Sequence, residues 1–486
     1  MGSMAGTAPP NSVAWQNGPM HKRRLRQPLR LVAVVIAVAV AVSACGTSTQ
    51  THTLGPSPSA PASAPASAAA SAAASAAASA AASAAASAAA SAAASAAASA
   101  AASAAASALP STEPDRVTYA RVESQVESIR ELQRTSTVTP ALLDSAGVRD
   151  WLAKANAAQT NHVALANETK LFVHLGLLPA GSDLEQMELD LQAGQIVGFY
   201  DPVSKGLYIL SDSGGVGPLQ KVTFSHEYTH ALQDQVFGLD KLAIDTPDQG
   251  DRDLARTALV EGDATLAMTQ WSTKNMSIPD LLAVVGDSSS ATQTAQLAKA
   301  PTILRESLLF PYMGGLAFVQ SMYDKGGWAA VDHLYANPPD STSQILHPDL
   351  YAKQVKPVAV SVPAVPTALS GWKLTMQDTL GELQLRIWLE GENHSNAATT
   401  AAASTASAWA GDRVGLYEGP NGAWAVVLKT TWASVAGAQA FANAVPAALK
   451  GLGPSRQCDD STHLDIAISS TQAVLPALLP CLKLSQ

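Results

Sequence analysis

A tract of alanine and serine in the first quarter of this chain limits where a folded domain can form. Serine recurs at every fourth position from Ser67 to Ser107, and alanine fills the positions between. Such a tract has no apolar face large enough to bury, so it cannot form a core. Residues 45–110, which also include a stretch rich in proline and serine, are therefore predicted to be a linker. The globular part of the 486-residue chain is expected from residue 111 onwards.

The residues before the linker are ordered as in a signal peptide. A basic stretch precedes an apolar run over residues 31–42, which is too short to span a bilayer comfortably and ends in small residues. The run closes with Val-Ser-Ala-Cys, which resembles a bacterial lipobox. Residues 1–44 would then be a signal peptide, and lipid on Cys45 would anchor the protein to the outer face of a membrane. The alternative is an ordinary secretory peptide with an incidental cysteine.

A helix over residues 218–238 is predicted to carry the chemistry. Proline in its first turn and glycine at its end favour these limits. Within it, His226, Glu227 and His230 form an H-E-x-x-H pattern. Histidines four residues apart lie on one face of a helix and can bind one metal ion, while Glu227 would act as general base toward the attacking water. The alternative is two histidines packed or exposed on an ordinary helix.

A third metal ligand is expected from the next helix, over residues 251–271. Catalytic zinc sites use three protein ligands and keep a fourth position open, and Glu261 lies on this helix. The small residues Gly262 and Ala264 would let it approach the H-E-x-x-H helix closely. Two histidines and one carboxylate favour zinc, although other divalent ions accept the same ligands. The alternative for Glu261 is a solvated helical glutamate.

These motifs carry a resemblance to known enzymes. H-E-x-x-H followed on the next helix by E-G-x-A resembles the gluzincin clan of zinc metallopeptidases, in which that glutamate is the third ligand. Over residues 195–415, the motifs F-Y, F-P-Y-x-x-G, I-L-H-P and D-T-L-G-E resemble bacterial secreted or lipoprotein metallopeptidases of this type. The expected fold is α+β: a mostly helical, zincin-like catalytic domain with a small β-sheet over residues 111–408, followed by a small α/β subdomain.

Four further residues are candidates for supporting roles around the metal. Peptide hydrolysis develops an oxyanion, and Tyr312 and His347 are the two candidates to donate a hydrogen bond to it. Their alternatives are a core tyrosine and a loop histidine. Asp234 and Asp263 are candidates to orient the metal-binding histidines, because such rings usually hydrogen-bond a second group.

The remaining segments follow recognisable patterns. Residues 195–210 predict a β-hairpin, which is either an ordinary core hairpin or an edge that binds extended peptide, as the strand above the active-site helix does in zincins. Apolar periodicity predicts helices over residues 140–158, 161–175, 182–191, 301–324 and 327–335.

Residues 409–486 predict the C-terminal subdomain, with the order β-β-α-β-α. Cys458 and Cys481 lie within it. A disulfide between them would stabilise the fold by about 3 kcal/mol through loop closure. The alternative is two free buried thiols.

The charge and the motifs together predict a function. A net charge of −9, with no basic face in the folded part, argues against nucleic acid as a partner. We expect an extracytoplasmic, lipid-anchored zinc metalloendopeptidase that acts on peptide or protein substrates in the cell envelope. One alternative is a catalytically silent zincin-like lipoprotein that binds an envelope partner. Another is a zinc hydrolase acting on a non-peptide envelope component.

Overall fold

The computed structural model describes residues 31–34, 113–159, 161–212, 215–288, 291–392 and 395–481. The elements up to residue 299 are β1 (Leu31–Val34), α1 (Glu113–Arg130), β2 (Pro140–Leu143), α2 (Ser145–Gln159), α3 (His162–His174), α4 (Leu184–Gln195), β3 (Ile196–Asp201), β4 (Gly206–Leu210), α5 (Pro218–Phe237), α6 (Gly250–Asn275), α7 (Ile278–Ser288) and α8 (Ala291–Lys299). The later elements are α9 (Thr302–Ala336), α10 (Thr342–Leu346), α11 (Pro348–Ala352), β5 (Lys373–Asp378), α12 (Gly381–Glu390), α13 (Asn396–Ala406), β6 (Trp409–Glu418), β7 (Trp424–Trp432), α14 (Val435–Ala448), β8 (Ser455–Asp460), β9 (His463–Ser469) and α15 (Leu475–Leu478). Short 3₁₀ turns cover Leu239–Leu242, Pro420–Gly422 and Gln472–Val474. The mixture of helices and two sheets agrees with an α+β fold.

Two N-terminal predictions fall outside this description. Cys45 and the predicted linker over residues 45–110 lie outside the described residues. Of the predicted signal peptide, only β1 is described. β1 opens the apolar run assigned to that peptide. None of the helices in the described part combines the length and apolar character needed to cross a bilayer.

A four-stranded sheet in the order β1-β3-β4-β2 lies beside α5. β3 and β4 pair antiparallel, which confirms the predicted hairpin, and β1 pairs antiparallel with the outer edge of β3. β2 runs parallel to β4 over Pro140–Leu143. The predicted helix over residues 140–158 is therefore wrong in its first turn, because Leu142 and its neighbours find strand partners and the helix begins only at Ser145.

The helices α5, α6 and α9 form the centre of the part that precedes the C-terminal sheet. α6 packs against α5 on one side and along α9 on another. The two predicted helices over residues 301–324 and 327–335 form one element, α9, which is broken at Gly326 and Gly327. Gly327 has a φ of 63°, a left-handed conformation that glycine adopts without steric cost. The break turns the chain so that Trp328 and Val331 also reach the core.

A five-stranded antiparallel sheet in the order β5-β6-β7-β9-β8 forms the C-terminal part. The sequence predicts β6, β7, α14, β9 and a final helix, but misses β5 and β8. Since β5 pairs with β6, this sheet takes in residues 373–378, which precede the predicted boundary at residue 409. Cys458 and Cys481 are joined by a disulfide, with their Cα atoms 5.4 Å apart, as predicted.

The start of α6 is tied to the C-terminal sheet. The Gly250 backbone N–H donates to Asp378 at the end of β5. Asp251 accepts two hydrogen bonds from Thr342, from its backbone N–H and its hydroxyl. These contacts fix the N-terminal end of the helix that carries Glu261.

Candidate metal centre

The helix α5 passes through the interior of the protein. Gly217 has an extended backbone and donates its N–H to the side chain of Gln220, Pro218 starts the helix, and Gly238 ends it with a φ of 74°. Every residue from Val222 to Asp234 is buried. The central turns, which carry the H-E-x-x-H pattern, therefore lie inside the core.

Three side chains from α5 and α6 converge on one point. His226 Nε2 lies 3.0 Å from His230 Nε2 and 3.1 Å from Glu261 Oε2, and His230 Nε2 lies 3.3 Å from the same oxygen. All three side chains are almost completely buried. This group could hold a metal ion.

The spacing and the donor types fit zinc. A tetrahedral ion with ligand distances of about 2.0–2.1 Å separates its ligand atoms by roughly 3.3–3.4 Å. The three pairs of atoms lie 3.0–3.3 Å apart. The rings of His226 and His230 stand nearly perpendicular, at 87°, so that their nitrogens approach the common point from different directions.

The charges of the group are strongly coupled. Burial lowers the pKa of His226. Burial also opposes a charge on His230, but the Glu261 carboxylate outweighs it and raises the pKa of His230 to about 9. Burial would raise the pKa of Glu261, yet the charge of His230 and hydrogen bonds from both rings lower it to about 2. The buried carboxylate therefore requires a positive charge beside it, which a proton or a metal ion can supply.

Glu227 is buried beside this group. Its side chain is fully inaccessible, and its charge contributes to the raised pKa of His230. It belongs to the same helix as both histidines but is not one of the three converging ligands. This agrees with the predicted geometry, in which Glu227 stands next to the metal ligands.

Tyr312 lies close to the same point, on α9. Its ring centroid is 6.2 Å from that of His226, and the side chain is 7% exposed. The next residue, Met313, is 51% exposed, so this stretch of α9 reaches the surface. Tyr312 is thus a nearly buried side chain close to His226.

His347 has a different neighbour. Its Nε2 lies 2.8 Å from Glu382 Oε1, and this hydrogen bond raises the pKa of the half-buried imidazole. Glu382 lies in the first turn of α12 and is the last residue of the D-T-L-G-E motif. The structure therefore joins two motifs of the resemblance, but it does not bring His347 into the three-ligand group.

The two aspartates predicted to orient the histidines bond elsewhere. Asp263 accepts hydrogen bonds from Arg130 and Tyr335, and Asp234 accepts from Tyr200 and Lys205. Asp263 lies two residues beyond Glu261, about 200° around the helix, and Arg130 binds both of its carboxylate oxygens. Both predictions are corrected by these contacts.

Gln233 takes the orienting position instead. Its Oε1 lies 2.8 Å from His230 Nδ1, and its Nε2 donates to the Val260 carbonyl oxygen at 3.1 Å. Gln233 is not among the residues predicted from the sequence to surround the metal. The signal was its spacing, because a side chain three residues after His230 lies on the same face of the helix.

The role predicted for Gly262 also needs correction. A Cβ atom at this position would lie 2.8 Å from Gly315 Cα on α9 and would overlap its carbonyl group. Gly262 therefore permits close contact between α6 and α9, not between α6 and α5. Because Gly315 follows Tyr312 by three residues, this contact also holds Tyr312 near the ligands.

Comparisons with known proteins add little to this picture. A family model described as a domain of unknown function (DUF8575) matches residues 372–474, which hold all five strands of the C-terminal sheet but none of the three candidate ligands. No curated protein matches the chain. A crystal structure from Chloroflexus aurantiacus, titled "a putative hydrolase with a novel fold", is 17% identical, covers 51% of this chain and 91% of its own, and aligns with a TM-score of 0.33. A score this low supports no conclusion about fold or function.

Proposed function

We propose that this protein is a zinc-dependent metallopeptidase with a zincin-like catalytic domain of the gluzincin type. The observation that carries the proposal is the convergence of His226, His230 and Glu261 in a buried group, with Glu227 on the same helix. Two histidines of an H-E-x-x-H helix and a glutamate from the next helix form the ligand set of that clan. The buried general-base candidate distinguishes this group from a purely structural metal site.

Each residue of the site has a separate role in the proposed hydrolysis: metal binding, proton transfer or stabilisation of the oxyanion. His226, His230 and Glu261 would hold zinc, whose Lewis acidity makes water a stronger acid and polarises a carbonyl group. Glu227 takes a proton from the water that attacks the peptide carbon. The same carboxyl group gives the proton to the leaving amine as the C–N bond breaks, so that the proton count balances. The Tyr312 hydroxyl donates a hydrogen bond to the carbonyl oxygen that gains negative charge.

The proposed binding edge for a peptide substrate is the outer edge of β3, which β1 occupies in this structure. β1 pairs antiparallel with the outer edge of β3, so this edge accepts an extended chain. β3 packs directly on α5, since a Cβ atom on Gly198 would lie 2.5 Å from Thr223 Cγ2. Thr223 precedes His226 by three residues. If residues 1–44 are cleaved, as the lipobox predicts, the edge is vacated in the mature protein.

The decisive experiment compares the wild-type protein with Glu227→Gln. Zinc is measured by elemental analysis, and hydrolysis is followed on a fluorogenic peptide library. We expect both proteins to hold zinc and Glu227→Gln to lose at least 10²-fold in turnover. Glu418→Gln, the same change on the C-terminal sheet, is the matched control and should hydrolyse like wild type.

Two outcomes would contradict the proposal. Equal hydrolysis by Glu227→Gln would show that the mechanism is wrong. A wild-type protein that binds zinc but cleaves no peptide would favour the envelope-binding module, or a hydrolase of a non-peptide envelope component.

The proposed location is the outer face of a cell membrane, through lipid on Cys45. The supporting observation is the order of basic stretch, apolar run and Val-Ser-Ala-Cys, followed by a long spacer. Cys45→Ser should move the protein from the membrane fraction to the soluble extracytoplasmic fraction. Retention of the Cys45→Ser protein in the membrane fraction would rule out this anchor.

A further inference from the structure

The side chain of Gln233 connects the two helices that supply the metal ligands. It is completely buried, and its amide touches both His230 on α5 and the Val260 carbonyl on α6. Val260 immediately precedes Glu261. A single side chain therefore contacts one ligand directly and the residue next to another.

The direction of each hydrogen bond follows from the chemistry of the partners. A carbonyl oxygen accepts hydrogen bonds and never donates them, so the group that faces Val260 O must be the NH₂ of the amide. The amide oxygen of Gln233 then faces His230 Nδ1. This nitrogen must donate, so Nε2, which faces His226 and Glu261, is the nitrogen of His230 that can give up its proton and bind a metal.

We propose that Gln233 is a positioning residue that holds His230 with hydrogen on Nδ1 and Nε2 free for the metal. It also sets the distance between α5 and the Glu261 turn of α6. This inference rests on the proposed metal site and adds the group that orients one of its ligands.

A glutamine suits this position better than the two aspartates predicted from sequence. Its acceptor orients the ring, its donor satisfies a buried carbonyl, and its neutrality adds no third carboxylate to a buried site that already holds Glu261 and Glu227. Among the described residues, none accepts a hydrogen bond from His226 Nδ1. The two rings are thus held unequally, and the loss of Gln233 should act through His230.

The test measures zinc affinity by competition with a chelator in the full-length protein. Gln233→Met keeps the length of the side chain but removes both hydrogen bonds, and we expect it to weaken zinc binding by about 10–100-fold. Gln233→Glu restores an acceptor for His230 Nδ1 but no donor for the Val260 carbonyl, and should recover part of that loss. Gln235→Met is the matched control, because Gln235 on the same helix bonds Thr135 and Ser136 instead. It should bind zinc like wild type.

A second measurement needs no substitution. Long-range ¹H–¹⁵N spectra of the zinc-loaded wild-type protein report which nitrogen of His230 carries hydrogen. We expect hydrogen on Nδ1 and zinc on Nε2. Zinc on Nδ1 would overturn the inference even if the Gln233 variants did not fold.

The possible failures are distinguishable. Wild-type zinc binding together with undiminished binding by Gln233→Met would overturn this inference alone. A wild-type protein that binds no zinc would overturn the proposed function and this inference with it.

Discussion

Gly262 and Gly315 meet backbone to backbone where α6 crosses α9. A Cβ atom on Gly315 would overlap the carbonyl oxygen of Ala258, just as one on Gly262 would overlap Gly315. Helices approach this closely only where neither carries a side chain at the crossing. The crossing therefore sets the distance between Glu261 on one helix and Tyr312 on the other.

Adding one methyl group at this crossing should be costly. We expect Gly262→Ala to lower the free energy of unfolding by about 1–3 kcal/mol, because the backbones must separate to admit it. Urea denaturation measures the change. Gly286→Ala is the matched control, since a Cβ atom there meets nothing within 4 Å and alanine favours a helix. Equal stability of Gly262→Ala and wild type would contradict the close contact.

The hydroxyl of Tyr312 is expected to act in catalysis and not in metal binding. Tyr312→Phe should lower kcat by about 10²–10³-fold, the usual effect of removing one oxyanion donor, and should leave zinc affinity unchanged. Steady-state kinetics on a cleaved peptide measure kcat. Tyr323→Phe on the same helix should behave like wild type. An unchanged kcat in Tyr312→Phe would show that Tyr312 is a core residue without a part in catalysis.

Zinc should stabilise the folded protein. At a free zinc concentration a thousandfold above Kd, binding adds about 4 kcal/mol to stability, so a chelator should lower the thermal midpoint. His226→Ala should abolish this zinc dependence, whereas His333→Ala, which alters an exposed histidine on α9, should keep it. A midpoint that does not respond to zinc in the wild-type protein would argue against the metal site.

Arg130 and Asp263 form a buried ion pair, and Asp263 lies two residues after Glu261 on α6. Arg130 is fully buried, bonds Asp263 and Asp332, and stacks over Trp328. We expect Arg130→Met to destabilise the protein by about 3–5 kcal/mol, because Asp263 would remain buried without its cation. In Arg134→Met, which alters a side chain 42% exposed, the loss should be below about 1 kcal/mol. Similar losses in both variants, measured by denaturation, would contradict this difference.

The ion pair of His347 and Glu382 predicts a dependence on pH. Its hydrogen bond to Glu382 raises the pKa of His347, so the charged imidazole is favoured in the folded state. The stabilisation should be fully present below the unfolded pKa of about 6.5 and be lost as pH rises through the raised pKa. Because His347 is one-third exposed, it should not exceed about 1 kcal/mol.

Denaturation of wild type and Glu382→Gln across this pH range measures the effect. The stability difference between them should shrink as pH rises. The control is His333→Gln, which replaces an exposed histidine on α9, and its stability difference from wild type should show no such trend. A difference that does not vary with pH would mean that the imidazole is neutral throughout.

Local patterns sufficed for several parts of this protein. The spacing of His226 and His230 fixed their common helical face, and the hairpin of β3 and β4 followed from alternation and a turn. The position of Glu261 on the next helix predicted it as the third metal ligand. These features depend on residues close together in the chain, where helical and strand periodicity leave few alternatives.

Only the tertiary structure decided which groups surround the ligands. Gln233, not Asp263, contacts His230, because Asp263 faces Arg130, which lies far away in the sequence. Gly262 permits the close contact between α6 and α9. Residues 140–143 form a strand because they pair with β4. Periodicity assigns a residue to a face of its own helix, but the partner that covers that face comes from packing between distant segments, which one sequence does not specify locally.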